Sequence, residues 1–196
     1  MIASADGHAV LEGRSVPLGH PVDRALLREL RTACDVILVG SSTLVAERYA
    51  TLLDADQRAH RVAQGLSPHP IVATISRSLD MPHVPLFDED VPVVVYTEAG
   101  GDGPGEIRRL EKVTVEAVVG DLGDGAILCE GGPMLLRELI AAGLVDDLLL
   151  TVAPLLGGGA PRTILGGPPF DQPVGMSLQG VQHADDHLFL HYRPGA

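Results

Sequence analysis

The chain has no tryptophan and only three phenylalanines and three tyrosines, so its core has to be filled by Leu, Val, Ile and Ala. Strands made of such aliphatics are characteristic of α/β sheets covered on both faces. The two cysteines, Cys34 and Cys129, lie far apart and form no Cys-x-x-Cys pair, which excludes a disulfide framework. Each abuts an aliphatic run and reads as a small buried side chain. Basic residues are also scarce: 14 Lys and Arg stand against 26 Asp and Glu, a net charge of −12. Nonspecific binding to nucleic acid needs the opposite sign, so any anionic ligand has to be held locally. No apolar run approaches the roughly 18 residues that cross a bilayer. The start, Met1-Ile-Ala-Ser-Ala-Asp-Gly7, has no basic and then apolar leader. A cytoplasmic protein is expected, with neither membrane nor nucleic acid as partner.

What is present argues for an α/β fold. With 196 residues and 45% of them hydrophobic, the chain suits one domain spanning 1–196. Pro21 opens a helix on which Val22, Leu26, Leu30 and Ala33 recur at helical spacing. Aliphatic runs at Val36–Val39, Ile71–Ile75, Val91–Tyr96 and Leu148–Val152 read as strands. Tyr49–Pro68 is mostly polar, with Arg58, His60 and Arg61 clustered, and reads as a solvated helix or loop. Glu106–Lys112 reads as a short charged helix and Thr114–Val119 as a further strand. That last assignment leaves only Gly120–Gly125 before the next strand at Ala126, too few residues for a parallel crossover of about 10–12. Either the Thr114 run is not a full strand or the connection departs from the usual alternation. Met176–His183 and His187–Arg193 form an antiparallel hairpin around Ala184-Asp-Asp186.

The most informative stretch is Ala126-Ile-Leu-Cys-Glu-Gly-Gly-Pro-Met-Leu-Leu136, a buried strand turning through Glu130, Gly131 and Gly132 into a helix at Pro133 or Met134. Two glycines allow close backbone approach to a phosphate, and the helix opening aims free N–H groups at it. Glu130 is either a reacting-end carboxylate or a residue that complements the helix dipole. Gly40, Ser41, Ser42 and Thr43 form a second polar turn after a strand, suited to phosphate or simply to a helix cap.

Taken together, Ser4-Ala-Asp-Gly7, Asp35-Val-Ile-Leu-Val-Gly-Ser-Ser-Thr43, Ala46-Glu-Arg-Tyr49, Cys129-Glu-Gly-Gly-Pro133 and Gly143-Leu-Val-Asp-Asp147 leading to Pro154-Leu-Leu-Gly-Gly158 resemble one known family. It is the reductase domain found at the C-terminus of bifunctional riboflavin-biosynthesis deaminase-reductases, with its stand-alone pyrimidine reductase relatives. The resemblance implies a dihydrofolate-reductase-like three-layer α/β/α fold, with a mostly parallel mixed sheet and antiparallel C-terminal strands. It implies NADPH as cofactor and hydride delivery to the ribosyl carbon of 5-amino-6-(5-phosphoribosylamino)uracil. It also implies a homodimer, which a mean hydropathy of +0.21 beside the −12 charge supports. The zinc ligands of the deaminase half are not found in this sequence, so no metal is expected.

Carried onto this chain, the family pattern names Glu130 and Asp6 as catalytic candidates. His8, which departs from that pattern, joins them because histidine's ordinary pKa suits proton transfer near neutral pH, the alternative being a loop histidine that is simply solvated. The pattern gives Gly40–Thr43, Ser76, Arg77, Gly131, Gly132, Pro133 and Met134 to the cofactor, and Ser4, Asp6, Glu47, Arg48, Gly157 and Gly158 to the heterocyclic substrate. Asp6 could instead cap the turn at Gly7, Arg77 could be a solvated surface arginine, and Glu47 with Arg48 a solvent-facing pair. Family members carry Lys after the Asp-Gly where this chain has His8, and an Asp with a proline-containing segment where it has Glu47-Arg-Tyr-Ala50. The alternatives are a dihydrofolate-type reductase and a non-catalytic NADP-binding sensor.

Overall fold

The computed structural model describes residues 1–195. Along the chain run β1 (Ile2–Ser4), α1 (Pro21–Ala33), β2 (Val36–Gly40), α2 (Ser41–Ala46), α3 (Ala55–Ala63), β3 (Ile71–Ile75), β4 (Val93–Thr97), β5 (Glu106–Arg109), α4 (Val115–Leu122), β6 (Ile127–Cys129), α5 (Pro133–Ala141), β7 (Leu148–Ala153), β8 (Met176–Ala184) and β9 (His187–Pro194). They divide into two compact units, Ala25–Glu130 and Met1–Arg24 with Gly131–Ala196.

In Ala25–Glu130 the five strands β5-β4-β3-β2-β6 form one parallel sheet. Successive aliphatics make β2, β3 and β4 apolar on both faces. Ile37, Val39, Val72, Val93 and Val95 pack with Leu44, Leu52, Leu53 and Leu86 in a buried core that also takes in Tyr49 and Cys34. Two helix and strand assignments change places here. Thr114–Val119 is not a strand: Thr114 caps α4 by accepting the Ala117 N–H at 3.2 Å, and Val115 and Val118, three apart, are the buried pair. β-branched content suggested a strand, but the cap and the spacing favour the helix. α4 thereby supplies the crossover between β5 and β6, on opposite edges of the sheet, which resolves the short connection.

Glu106–Lys112 is likewise not a helix, since its first four residues pair with β4 as edge strand β5. Gly105 shows why: its φ is +72°, and a Cβ there would lie 2.4 Å from the Val93 carbonyl oxygen. Only glycine lets the chain enter so close to β4, and backbone pairing outweighs the charged composition. A third correction concerns the polar stretch after Tyr49. It contains α3, but Arg61 on that helix is only 1% exposed, not solvated. Its guanidinium donates to the carbonyls of Thr32 (2.9 Å), Cys34 (2.6 Å) and Ser67 (2.8 Å), so it caps the C-terminal end of α1.

In the other unit, β1 pairs parallel to β7, β7 antiparallel to β9, and β9 antiparallel to β8, giving the order β1-β7-β9-β8. The parallel strands and the antiparallel C-terminal hairpin read from the sequence are therefore both present. Among the described residues no helix is long and apolar enough to cross a membrane.

Candidate active site

In an open parallel sheet, ligands gather at the carboxyl ends of strands, where neighbouring strands send their connections in opposite directions. In this sheet that point lies between β2 and β6, because β2 leads toward β3 on one side and β6 sits on the other. β2 ends at Gly40 and passes at once into α2, whose N-cap glycine makes no side-chain cap bond. The first turn of α2 therefore presents Ser41, Ser42 and Thr43 without a competing cap. β6 ends at Cys129, and the Glu130 N–H continues its ladder to the Leu38 carbonyl at 3.0 Å. At the end of the next strand, β3, Ser76 is buried and Arg77 is exposed.

The Glu130 carboxylate is gripped from two sides. Arg31, in the last turn of α1, donates Nε to Oε1 at 2.7 Å and Nη2 to Oε2 at 2.6 Å, and the Tyr49 hydroxyl donates to Oε2. The Arg31 Cζ also lies 5.4 Å from the Tyr49 ring centroid, a cation–π distance. The ion pair is enclosed, with side-chain exposures of 16% for Arg31 and 5% for Glu130. Burial works against the Arg31 charge, yet its bonds to Glu130 hold the guanidinium above its ordinary range. Burial, and then the Glu130 charge, raise the Tyr49 hydroxyl well above its ordinary value.

In the other unit, Asp6 organises two loops. Its Oδ1 accepts the Ser4 hydroxyl at 2.5 Å and the Gly157 N–H at 3.1 Å, and its Oδ2 accepts the Gly158 N–H at 2.8 Å. The Ser4 hydroxyl, then the Gly158 and Gly157 amides, hold the Asp6 carboxyl well below the usual carboxylate range. The Ser4 oxygen accepts in turn from the His8 backbone N–H at 2.8 Å. His8 Nε2 stands 3.7 Å from Asp6 Oδ2, is shielded, and makes no hydrogen bond. A Cβ on Gly157 would lie 2.7 Å from the His8 ring, so glycine is required for the ring to lie against this loop. The five residues Ser4, Asp6, His8, Gly157 and Gly158 are thus brought together, by a carboxylate that caps a remote turn and not merely its own.

The glycine turn before α5 has the following geometry. Gly131 has φ +88°, and Gly132 is the N-cap, again with no side-chain cap bond. Pro133 starts the helix without an N–H of its own, and Met134 is half exposed. A later loop is fastened nearby in the same unit: Gly166 N–H donates to the Pro133 carbonyl at 3.0 Å, and Arg137 Nε to the Pro168 carbonyl at 2.6 Å. Glu47 ends α2 half buried, and Arg48 beyond it is exposed with φ +51°.

Arg31 and Tyr49 were not legible as site residues. The one signal that pointed to them is indirect: a carboxylate at the end of a buried strand needs a donor partner, and any of the chain's arginines could have answered.

The family model described as the RibD C-terminal domain matches residues 1–190. A 2,5-diamino-6-ribosylamino-4(3H)-pyrimidinone 5′-phosphate reductase of Methanothermobacter thermautotrophicus is 27% identical over 186 residues, covering 87% of this chain and 80% of that protein. The crystal structure of a pyrimidine reductase-like protein from Corynebacterium diphtheriae superimposes with a TM-score of 0.83 at 22% identity, covering 100% of this chain and 90% of that one. Dihydrofolate reductase from Enterococcus faecalis, solved with NADP(H), gives a TM-score of 0.54 at 15% identity over 100% of this chain and 94% of its own. The last two likenesses establish a common fold.

Proposed function

Because the chain belongs to the RibD C-terminal domain family, we propose that it reduces a 5-phosphoribosylaminopyrimidine to the ribitylamino product with NADPH, as a step of riboflavin biosynthesis. The observation that carries this reading is the family match across residues 1–190, together with a named reductase relative that is matched over most of its length. Residues 1–196 act in this reading as one cytoplasmic reductase domain. The uracil form is the first substrate to try, and the 2,5-diaminopyrimidinone form named for the relative is the second.

The donor set fits a dinucleotide. Two strand-end helices, α2 and α5, open on glycines that make no side-chain cap bond, which leaves amide donors for phosphate oxygens. Gly40, Ser41, Ser42 and Thr43 in one unit, and Gly131, Gly132, Pro133 and Met134 in the other, are each assigned to the cofactor, and Ser76 with Arg77 to its 2′-phosphate. When bound, NADPH supplies the hydride that adds to C1′ of the ring-opened ribosylamino group. The accompanying proton goes to the nitrogen of the ring-opened C1′=N imine, which stays bonded to C1′ in the ribitylamino product. Asp6 stays ionised because three donors hold it so, which suits it to fixing the substrate loop and not to giving a proton. His8, whose shielded Nε2 has no hydrogen-bond partner of its own, is the proton donor in this scheme. Ser4, Gly157, Gly158, Glu47 and Arg48 would contact substrate. Glu130 stands at the reacting end as a fixed acceptor.

A second copy of the chain completes the proposal. Leu178 and Val181 on edge strand β8 are each 53% exposed, an apolar, unpaired edge of the kind that proteins normally cover. Sedimentation giving a monomer at micromolar concentration would remove the dimer from this reading.

The direct test is NADPH oxidation followed at 340 nm with each phosphoribosylaminopyrimidine, with dihydrofolate as the contrasting substrate and product mass as confirmation. Folded protein that leaves NADPH at background with both pyrimidines sinks the proposal.

A further inference from the structure

The Arg31–Glu130–Tyr49 cluster is not explained by stability. Withdrawing an ion pair from water costs about as much as its attraction returns, and well-packed apolar residues of the same volume do as well or better. Yet here a nearly buried carboxylate takes three donors at the residue that follows β6. The three partners come from three separate segments of the same unit. Arg31 lies in the last turn of α1, Tyr49 follows α2, and Glu130 follows the strand beside β2.

Tyr49 is itself fixed at both ends of its backbone. Its N–H donates to the Leu44 carbonyl of α2 at 3.2 Å, and its carbonyl accepts the Leu86 N–H at 3.0 Å. Its hydroxyl therefore connects α2, the helix that opens at Gly40, with the end of β6. The cluster ties the turn after β2 to Glu130 by side chains, where the backbone ladder between β2 and β6 runs out. Every contact of the carboxylate is made by a donor, so Glu130 serves as an acceptor and not as the source of the proton.

We infer that Arg31 and Tyr49 are positioning residues of the reduction, which clamp both oxygens of Glu130 and so fix that carboxylate, just past the end of β6, against the turn after β2. This inference rests on the functional reading above, in which the turn after β2 faces the cofactor and Glu130 stands at the reacting end. Neither side chain has to touch a ligand, and both act through Glu130. Loosening the clamp leaves the amide donors of α2 in place but lets Glu130 drift from them, so it costs turnover more than it costs binding. Misplacement of about 1 Å is enough for a hundredfold loss in rate.

The experiment uses Tyr49→Phe, which removes one hydroxyl and keeps the ring beside Arg31, and Arg31→Lys, which keeps the charge and removes the fork. Thermal melting, NADPH affinity by its fluorescence, and kcat and KM for the pyrimidine are measured on each. The expected result is a fall in kcat of tenfold or more in both variants, with NADPH affinity within threefold of the parent. A smaller fall in kcat in folded protein overturns the inference, and so does a loss carried entirely by cofactor affinity. If both variants fail to fold, the cluster is structural and the inference is likewise overturned. Parent protein that never oxidises NADPH brings down the functional reading and this inference with it. An active parent with undiminished variants brings down the inference alone.

Discussion

Arg31 holds Glu130 with both arms of its guanidinium, Nε to Oε1 at 2.7 Å and Nη2 to Oε2 at 2.6 Å, across 99 residues of chain. The carboxylate cannot be re-solvated if its cation is removed, because it is nearly buried. Arg31→Ala is expected to destabilise the protein by about 3–5 kcal/mol, the cost of leaving a buried charge alone. Urea unfolding of parent and variant measures the difference, and a loss below about 1 kcal/mol contradicts the enclosed geometry.

Arg61 tests a different kind of burial, since its guanidinium is satisfied by carbonyl oxygens. Arg61→Met fills similar volume but removes the donors from Thr32, Cys34 and Ser67. Unsatisfied buried acceptors cost roughly 1–3 kcal/mol each, so a loss of roughly 3 kcal/mol is expected in the same unfolding assay. Arg58→Met, changed as a neighbour on the same helix, should cost less.

The Asp6 tie carries a pH signature. Its carboxyl is held below its ordinary value of 3.8 by the Ser4 hydroxyl and then by the Gly158 and Gly157 amides. The stabilisation is complete above 3.8 and is lost only as pH falls below that value toward the lower folded one. The stability difference between parent and Asp6→Asn should therefore be constant at neutral pH and shrink below about pH 4. Denaturant midpoints measured from pH 2.5 to 7 give the comparison. A difference that grows on acidification refutes the tie.

Cys34 should be chemically quiet. Burial pushes its thiol from 9.0 up to about 11, which cuts the reactive thiolate at pH 7.5 by about a hundredfold. Iodoacetamide labelling read by mass spectrometry should modify the half-buried Cys129 well before Cys34, with the order lost in denaturant.

Arg137 fastens the loop that follows β7 by donating to the Pro168 and Pro169 carbonyls, at 2.6 and 3.3 Å, and by stacking 4.9 Å from the Phe170 ring centroid. Arg137→Ala should leave the melting temperature nearly unchanged while raising hydrogen exchange across residues 163–172 severalfold. Unaltered exchange in that segment would show the loop is held by other contacts.

Much of the fold was legible because it is written in short-range pattern. Four successive aliphatics make Val36–Val39 a buried strand whatever lies around it, Pro21 and Pro133 preset the first turn of a helix, and the Glu130-Gly-Gly-Pro133 run marks a strand-to-helix corner. The two misassigned segments failed where local signals were balanced. Thr114–Val119 has strand-type residues at helix spacing, and Glu106–Arg109 has helix-type charge but a neighbour strand within reach.

The candidate residues divide in the same way. Asp6, Gly157 and Gly158 could each be named from the sequence, but that one carboxylate joins them across some 150 residues could not. Glu130 stood out beside its glycines, while Arg31 and Tyr49, 99 and 81 residues away, did not. By itself the sequence determined the aliphatic strands, the proline and glycine corners, the absence of a cationic surface and the family. These depend on steric and solvation preferences that act over a few residues. Only the tertiary structure decided which buried charge is paired with which donor, because such pairing is set where distant segments meet and a buried charge without a partner is costly.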